Sequence, residues 1–112
     1  MGVAVTRTVN RGEVYLVQLD PTRGGEIRKT RPCVIISPDD LNHHLRTFIV
    51  APMMTGGHAY PFRIPCRFQR RAAHIVLDQL RTVDMERLIR RLGVLTPDTL
   101  EASLVVLREM FS

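Results

Sequence analysis

The segment EIRKTRPCVIIS, residues 26–37, gathers three cations and one carboxylate directly before an apolar, β-branched run. Arg28, Lys29 and Arg31 are the cations, and Glu26 is the carboxylate. Arginine binds phosphate through two parallel hydrogen bonds, and a positioned carboxylate can transfer a proton. These side chains therefore suit phosphate chemistry on a polyanion, although a solvated loop arginine is the simpler alternative for Arg31.

The overall charge agrees with a polyanionic partner. The formal net charge is +5, and Lys29 is the only lysine among the 16 lysines and arginines. The planar guanidinium of arginine suits nucleic acid, because it binds phosphate and stacks on bases. A GC-rich coding bias would also replace lysine by arginine, so charge alone indicates only a possible polyanion.

Length and composition indicate one domain. We expect the 112 residues to form a single domain, 1–112, with residues 1–10 as a loose lead-in. No run approaches the ~18 apolar residues of a membrane span, and no secretory signal is evident, so we expect a cytoplasmic protein without membrane contact. Cys33 and Cys66 are predicted to be buried, small apolar residues, not a disulfide.

Several common chemistries lack their sequence patterns. His43 and His44 are adjacent, so they would point apart on a helix, and no C-x-x-C or H-x-x-x-H pair is present. We therefore expect no metal and no cofactor. The serine-nucleophile elbow, the P-loop and the dinucleotide fingerprint are also missing. Phosphate chemistry on RNA remains, because the RNA 2′-hydroxyl is a built-in nucleophile that needs only proton transfer and charge stabilisation.

Short alternating segments predict a fold of class α+β, in which a helix packs on a small β-barrel or strongly bent sheet of mostly antiparallel strands. Pro52 should end the third strand, and prolines 61 and 65 indicate that the fourth strand lies at an edge or contains a bulge. Residues 85–95 suggest a helical turn and then a short strand. The other predicted strands cover residues 13–19, 33–37, 47–53, 60–66, 74–80 and 81–84, with an interruption near Asp78, and one helical turn lies within 38–45.

The C-terminal segment predicts a helix. Thr96 is a good N-cap, Pro97 suits the first helical position, and Asp98 complements the helix dipole. An apolar face is then expected from residues at helical spacing, Leu100, Leu104, Leu107 and Phe111.

Four ordered motifs, in residues 11–26, 30–38, 49–62 and 76–84, resemble the MazF/PemK (Kid) family of type II toxin–antitoxin ribonucleases. The resemblance implies an SH3-like β-barrel, the CcdB/Kid/MazF fold, with a C-terminal helix, working as a homodimer. It also implies cleavage of single-stranded RNA without a metal, through a 2′,3′-cyclic phosphate. A cognate antitoxin would block the groove with a flexible acidic segment.

The family motifs carry over to particular residues. Arg31 is the arginine of the R-P motif, and we assign it to stabilising the phosphate, because a guanidinium does not readily give up its proton. Glu26 follows the glycine-rich loop and is predicted to be catalytic. Asp78, of the D-Q pair, is either an RNA contact or a structural cap. Further RNA contacts are predicted at Arg11, Arg23, Arg28, Lys29, His58 and Arg81, where His58 has an exposed-loop alternative and Arg81 a pairing with Asp84.

The chain departs from the family pattern at two places. Gly25 stands before Glu26, where the family usually has a serine. Met54 stands two positions after Pro52, where the family has its catalytic threonine, and Thr55 comes one residue later. Because neighbouring strand residues face opposite sides, Thr55 would serve as the catalytic donor only if the strand end rearranges. Otherwise the groove should bind RNA with weakened chemistry.

Two other functions stay open from the sequence. A CcdB-like toxin would bind DNA gyrase and cut nothing, but the R-P and D-Q motifs argue against this branch. A catalytically dead RNA-binding protein would keep the groove without the cleavage, and Met54 makes that alternative more credible.

Overall fold

Seven strands and two helices are present in the part of the chain that the computed structural model describes, residues 8–20, 23–26, 29–56 and 60–112. Neither helix of these residues has the length and apolar character needed to cross a bilayer. The strands are β1 (Glu13–Gln18), β2 (Thr30–Ile35), β3 (Thr47–Thr55), β4 (Arg63–Phe68), β5 (Arg71–Val76), β6 (Arg81–Asp84) and β7 (Leu88–Val94). The helices are α1 (Asp39–Asn42) and α2 (Pro97–Met110), and two 3₁₀ turns cover Leu77–Gln79 and Met85–Arg87.

The strands form one bent antiparallel sheet. Their order is β4-β5-β3-β2-β1-β7, and β6 also pairs with β3. The two end strands approach each other through side chains, since a Cβ added at Gly93 of β7 would lie 3.2 Å from the Phe68 ring of β4. Glycine thus permits a close approach that gives the sheet its barrel-like form.

The pairing of β3 with its partner chain is irregular in the middle of the strand. From Val50 to Met53, β3 advances three residues, while its partner chain runs six, from Arg81 back to Ile75. The three surplus residues form the 3₁₀ turn Leu77–Gln79. Pro52 lies at this point and has no N–H to donate to a neighbouring strand. The partner strand therefore leaves the ladder beside Pro52 and returns to it at β6.

Both faces of the central strands are buried. Along β3, Phe48 and Val50 belong to one apolar cluster, whereas Ala51 and Met53 belong to the other. The first cluster also includes Val9, which is 1% exposed. The second cluster is covered by α2 through its leucines 100, 104 and 107. Strands buried on both faces are expected to have nearly continuous apolar sequences. The run of Val34, Ile35 and Ile36, at the end of β2 and just beyond it, has this character.

The predicted class is confirmed: the fold is α+β, with short antiparallel strands and a C-terminal helix. The helical turn at α1, the edge position of β4, and the turn followed by a strand at 85–95 are also confirmed. Residues 1–7 of the predicted lead-in lie outside the described residues.

Two predicted details were wrong, at Pro52 and at Phe111. Pro52 does not end the third strand, because β3 continues to Thr55 by pairing with β5. The interruption predicted near Asp78 is confirmed: β5 ends at Val76, and the surplus residues opposite Pro52 turn out of the ladder as Leu77–Gln79. Phe111 is not part of the apolar helix face: it follows the last turn of α2 as its C-cap and is 76% exposed.

Removal of the N-cap hydroxyl should destabilise the protein. The Thr96 side chain accepts a hydrogen bond from the Thr99 backbone N–H at 3.3 Å, and Pro97 follows at the first helical position. We expect Thr96→Ala to lower the free energy of unfolding by about 1 kcal/mol in urea titration at fixed protein concentration. Thr96→Ser keeps the acceptor and should retain most of this stability. A serine variant as unstable as the alanine variant would contradict the capping role.

Candidate functional site

A cavity of about 430 Å³, called cavity 1, opens beside Pro52 where the partner strand leaves the ladder. It brings together three of the predicted site residues, Glu26, Asp78 and Arg81, from two of the four motifs. The complete lining is Leu19, Gly25, Glu26, Pro52, Asp78, Gln79, Leu80 and Arg81.

Two arginines hold the end of β1 at the border of cavity 1. Arg81 Nη1 donates to the Leu19 carbonyl at 3.0 Å. Arg87 Nη1 donates to the Gln18 carbonyl at 3.1 Å and also contacts the Asp20 carbonyl. These bonds satisfy carbonyls at the point where β1 ends. Arg81 does not form the alternative pair with Asp84.

The described part of the loop between β1 and β2 is held by its own carboxylates. Glu26 Oε1 accepts from the Arg23 backbone N–H at 2.5 Å, and the Glu26 backbone N–H donates to the Arg23 carbonyl at 3.1 Å. Asp20 Oδ1 accepts from the Lys29 backbone N–H at 3.0 Å. The side chains of Arg23 and Lys29 remain exposed beside the cavity. Arg28 lies outside the described residues.

Asp78 lies between cavity 1 and a second cavity of about 260 Å³, cavity 2. Arg63 binds both carboxylate oxygens of Asp78, with Nε–Oδ1 and Nη2–Oδ2 distances of 3.1 and 3.2 Å. The Arg63 guanidinium also lies 4.8 Å from the centre of the Tyr60 ring. Cavity 2 is lined by Tyr60, Pro61, Phe62, Arg63 and Asp78. It therefore combines aromatic, cationic and carboxylate groups.

The Arg63–Asp78 pair changes the ionisation of both groups. The hydrogen bonds from Arg63 hold the pKa of Asp78 below its ordinary value, and the same bonds raise the pKa of Arg63. Asp78 therefore stays ionised and is a poor proton acceptor. Sequence reasoning missed Arg63. The available signal was the alternation of aromatic and basic residues in YPFR, which is typical of single-strand binding surfaces.

Arg31 and Thr55 meet at a third cavity, cavity 3, of about 160 Å³, where β2 and β3 separate. Cys33 pairs with Pro52, so continuing this register by two residues places Arg31 opposite Met54. Thr55 pairs with Ala73, and its two preceding residues pair with β5 in the same register. The complete lining is Arg31, Pro32, Met53, Met54, Thr55, Phe68, Gln69, Arg71 and Ala73.

One other predicted contact, Arg11, lies apart from these cavities. Arg11 Nε donates to the Ile36 carbonyl at 2.7 Å, and its backbone N–H donates to Asp39 Oδ1 at 2.6 Å. Ile36 is five residues from Arg31, so this end of β2 is separated from Arg31 by about 16 Å along the strand. His58 lies outside the described residues.

The two cysteines are free, as predicted, with Cys33 buried and Cys66 half-buried. Burial raises the pKa of Cys33 to about 12, although the charge of Arg81 acts in the opposite direction, and burial also raises the pKa of Cys66. Because the thiolate is the reactive form, the raised pKa makes both thiols poor nucleophiles. Within the described ranges, no three His, Cys, Asp or Glu side chains cluster as metal ligands.

A match to a known family defines the class of this protein. The sequence profile of the PemK-like, MazF-like toxin of type II toxin–antitoxin systems matches residues 10–111. Because the match covers nearly the whole chain, the chain belongs to this toxin family.

One particular relative is the Escherichia coli protein named endoribonuclease PemK. It is 35% identical to this chain over 83 residues, which are 70% of this chain and 62% of the relative. The match thus covers less than two thirds of the length of PemK.

Solved structures share the fold. MazF from Deinococcus radiodurans superposes with a TM-score of 0.83 at 20% identity, covering 94% of this chain and 97% of that chain. A mycobacterial endoribonuclease in complex with its cognate antitoxin gives 0.78 at 20% identity, covering 92% and 94%. The Mycobacterium tuberculosis toxin MazF-mt6 gives 0.74 at 22% identity, covering 88% and 95%.

The Arg63–Asp78 pair predicts a measurable acid response. We expect Arg63→Gln to raise the pKa of Asp78 toward its ordinary value, because the principal hydrogen bonds to the carboxylate are lost. A carbon-13 NMR titration of the carboxyl carbon would measure the change. Because the folded-state pKa is lowered, the stabilisation is present above the unfolded value of about 3.9 and is lost as pH falls through the folded value.

The matched control for this titration is Arg46→Gln. Arg46 forms an exposed ion pair with Asp84 at 3.6 Å, so its removal changes the local charge without touching Asp78. The pKa of Asp78 should be the same in this variant as in the unaltered protein. An Asp78 pKa that also stays unchanged in Arg63→Gln would contradict the assignment.

Proposed function

We propose that this chain is the toxin of a type II toxin–antitoxin system and a metal-independent, sequence-specific endoribonuclease acting on single-stranded RNA. The 2′-hydroxyl would attack the adjacent phosphate and leave a 2′,3′-cyclic phosphate. The relation to PemK supports the activity, and one structural observation carries the assignment of the site. Among the described residues, the exposed Arg31 guanidinium meets no hydrogen-bond or ion-pair partner, so it is available to a phosphate.

Arg31 is proposed to stabilise the charge that develops on the phosphate oxygens. Arginine keeps its proton and presents several N–H donors, so it can bind two oxygens without a proton transfer. The apolar Cys33 and Ile35 behind it are fully buried in β2, which fixes the strand that carries it. A donor held in place before the reaction needs no reorganisation when the charge forms.

The RNA strand is proposed to follow cavities 1 and 2. Tyr60 and Phe62 are 53% and 40% exposed, beside Arg63. Exposed aromatic rings next to arginine suit stacking of unpaired bases, and stacking is worth about 1–3 kcal/mol per base. The exposed loop cations Arg23 and Lys29 would bind the RNA backbone. Arg11, Arg28, His58, Asp78 and Arg81 complete the proposed set of RNA contacts, and Glu26 completes the catalytic set.

The expected cleavage rate depends on which side chains the end of β3 presents. Pairing with β5 is regular through Thr55, which places Met54 on the face of Pro52 and turns Thr55 to the other face. This regularity supports weakened cleavage at the Met54 position, and it is the observation that favours a catalytically dead RNA-binding protein as second candidate. Thr55 remains the alternative donor, since it shares cavity 3 with Arg31.

The proposed partners are RNA, an antitoxin and a second copy of the chain, in the cytoplasm. The mycobacterial endoribonuclease of the same fold is in complex with its cognate antitoxin. The net charge of +5 here favours an acidic, flexible antitoxin segment that would occupy the same cationic groove. The homodimer is proposed from family membership.

A cleavage assay with EDTA tests the proposed activity. The purified protein should cut a labelled single-stranded RNA in EDTA and leave cyclic phosphate ends. Arg31→Ala should abolish cutting, with a loss of about 10²–10³ or more in rate, because a charge-stabilising donor is removed. Arg90→Ala is the matched control, since Arg90 is an exposed arginine on β7, two strands from β2.

The outcomes separate the candidates. Retention of RNA without cutting would favour the dead RNA-binding protein. Normal cleavage by Arg31→Ala, with the fold verified by circular dichroism, would remove Arg31 from the mechanism.

A threonine at position 54 should strengthen the chemistry. The hydroxyl would lie on the same face as Arg31 and add a donor to the developing charge, so we expect Met54→Thr to raise the cleavage rate by about 10²–10³. Thr55→Val is the companion variant, and it should leave the rate unchanged if β3 stays regular. No gain in Met54→Thr, together with a large loss in Thr55→Val, would show that Thr55 is the working donor.

A further inference from the structure

The proposed cleavage needs a group that takes the proton of the 2′-hydroxyl, and this inference rests on that proposed function. Asp78 is engaged through both carboxylate oxygens, which accept from Arg63. Glu26 is held through Oε1 by the Arg23 backbone N–H and lines cavity 1, whereas Arg31 lines cavity 3. Arginine cannot serve, because it holds its proton. A neutral imidazole is the side chain best suited to this proton transfer near neutral pH.

We propose that His74 is the general base of this protein, accepting the 2′-hydroxyl proton on Nε2. His74 lies on β5 and pairs directly with Met54 of β3. Directly paired residues of antiparallel strands point to the same face, about 4.5–5.5 Å apart at Cβ. His74 therefore stands beside the position where the family pattern places its catalytic threonine.

His74 pairs with Met54, and Arg31 lies on β2 just beyond its last pair with β3, at the same cavity as Met54. Arg31 falls opposite Met54 when the register of Cys33 with Pro52 is continued. Two strand spacings separate Arg31 from His74, at least about 10 Å between Cα atoms. A phosphodiester above Met54 would thus have the guanidinium on one side and the imidazole on the other.

A backbone hydrogen bond selects the tautomer of His74. Its Nδ1 lies 2.8 Å from the carbonyl oxygen of Gly56. A carbonyl only accepts, so Nδ1 must carry the hydrogen, and in the neutral ring the lone pair is then on Nε2. His74 is partly exposed, and among the described residues its Nε2 meets no hydrogen-bond partner. The ring is thus oriented as a base.

The same bond fixes the end of β3. Gly56 has a φ of +69°, in the left-handed region that glycine adopts without strain, and it follows directly after Thr55. Its carbonyl turns toward β5, where His74 meets it. One hydrogen bond therefore positions both the start of the loop after β3 and the imidazole of His74.

The other histidines of the described residues are placed elsewhere. His43 and His44 follow α1, at the opposite end of β3, where they bond to Asn10 and to the Asp40 carbonyl. The charged groups that face His74 from the neighbouring strands are all arginines. They are Arg63, which binds the Asp78 carboxylate, and Arg67, on either side of Pro65 in β4.

The proposed step balances in protons. Nε2 of His74 removes the 2′-hydroxyl proton as the 2′ oxygen bonds to phosphorus. The bond from phosphorus to the 5′ oxygen breaks, and this oxygen takes a proton from solvent water. The resulting imidazolium returns its proton to solvent, so no oxidant or metal takes part.

His74→Asn tests the base. The asparagine amide keeps an N–H near the place of Nδ1 and can still donate to the Gly56 carbonyl, but it has no basic nitrogen. We expect the cleavage rate constant to fall by about 10²–10⁴. Binding of an RNA carrying a 2′-deoxy nucleotide at the cleaved position should stay within about twofold, because that ligand makes no use of the base. His44→Asn is the matched control, since His44 Nδ1 also meets a backbone carbonyl, that of Asp40, at 2.6 Å.

The variant His74→Ala tests the base without relying on the hydrogen bond to the Gly56 carbonyl. Added imidazole should restore cleavage to His74→Ala in a concentration-dependent way, and it should not restore Arg31→Ala. A purely structural histidine would not respond to imidazole.

The outcomes separate this inference from the proposed function. Cleavage by His74→Asn at the rate of the unaltered protein, or a slow His74→Ala that imidazole does not restore, would overturn the role of His74 alone. Absence of cleavage by the unaltered protein would overturn the proposed function and this assignment with it.

Discussion

The missing N–H of Pro52 is the constraint on which the rest of the site depends. A proline inside a strand cannot donate to a neighbour, and β3 still continues past it to Thr55. The partner chain absorbs the break with three surplus residues, which turn out of the ladder as Leu77–Gln79. Cavity 1 is the space that this departure leaves beside Pro52. Asp78 lies on the displaced turn, so the same break also positions the carboxylate between the two larger cavities.

Arginines serve two separate purposes around this break. Arg81 and Arg87 satisfy backbone carbonyls at the end of β1, and Arg63 neutralises Asp78. These three guanidiniums form part of the architecture, and their geometry is determined by internal partners. Arg31 differs, because its strand is anchored while its side chain extends into solvent. A cationic surface can thus be rigid where it shapes the groove and still present an unpaired cation to a ligand.

Local signals in the sequence predicted much of this fold. Thr96 and Pro97 predicted the start of α2 correctly, because capping depends on neighbouring residues. The sequence predicted an interruption near Asp78 but not its place opposite Pro52, since that place results from how two distant segments pair. Arg63 was missed for the same reason: its partner Asp78 is 15 residues away and meets it only through the turn. Of the site, Glu26, Asp78 and Arg81 share one cavity and Arg31 and Thr55 another, while Arg11 lies apart.

Under the proposed function, the placement of Met54 would separate RNA binding from cleavage chemistry. A thioether between a guanidinium and an imidazole gives no donor to a phosphate, but it leaves the strands and the groove unchanged, because side chains of a regular strand project from a fixed backbone. An apolar side chain also excludes water at this point, which strengthens the attraction between an arginine and a phosphate bound there. Under the proposed function, the missing hydroxyl would therefore weaken stabilisation of the developing charge more than affinity for RNA. The proposed cleavage would then depend on the two groups beside Met54, the Arg31 guanidinium and the His74 imidazole.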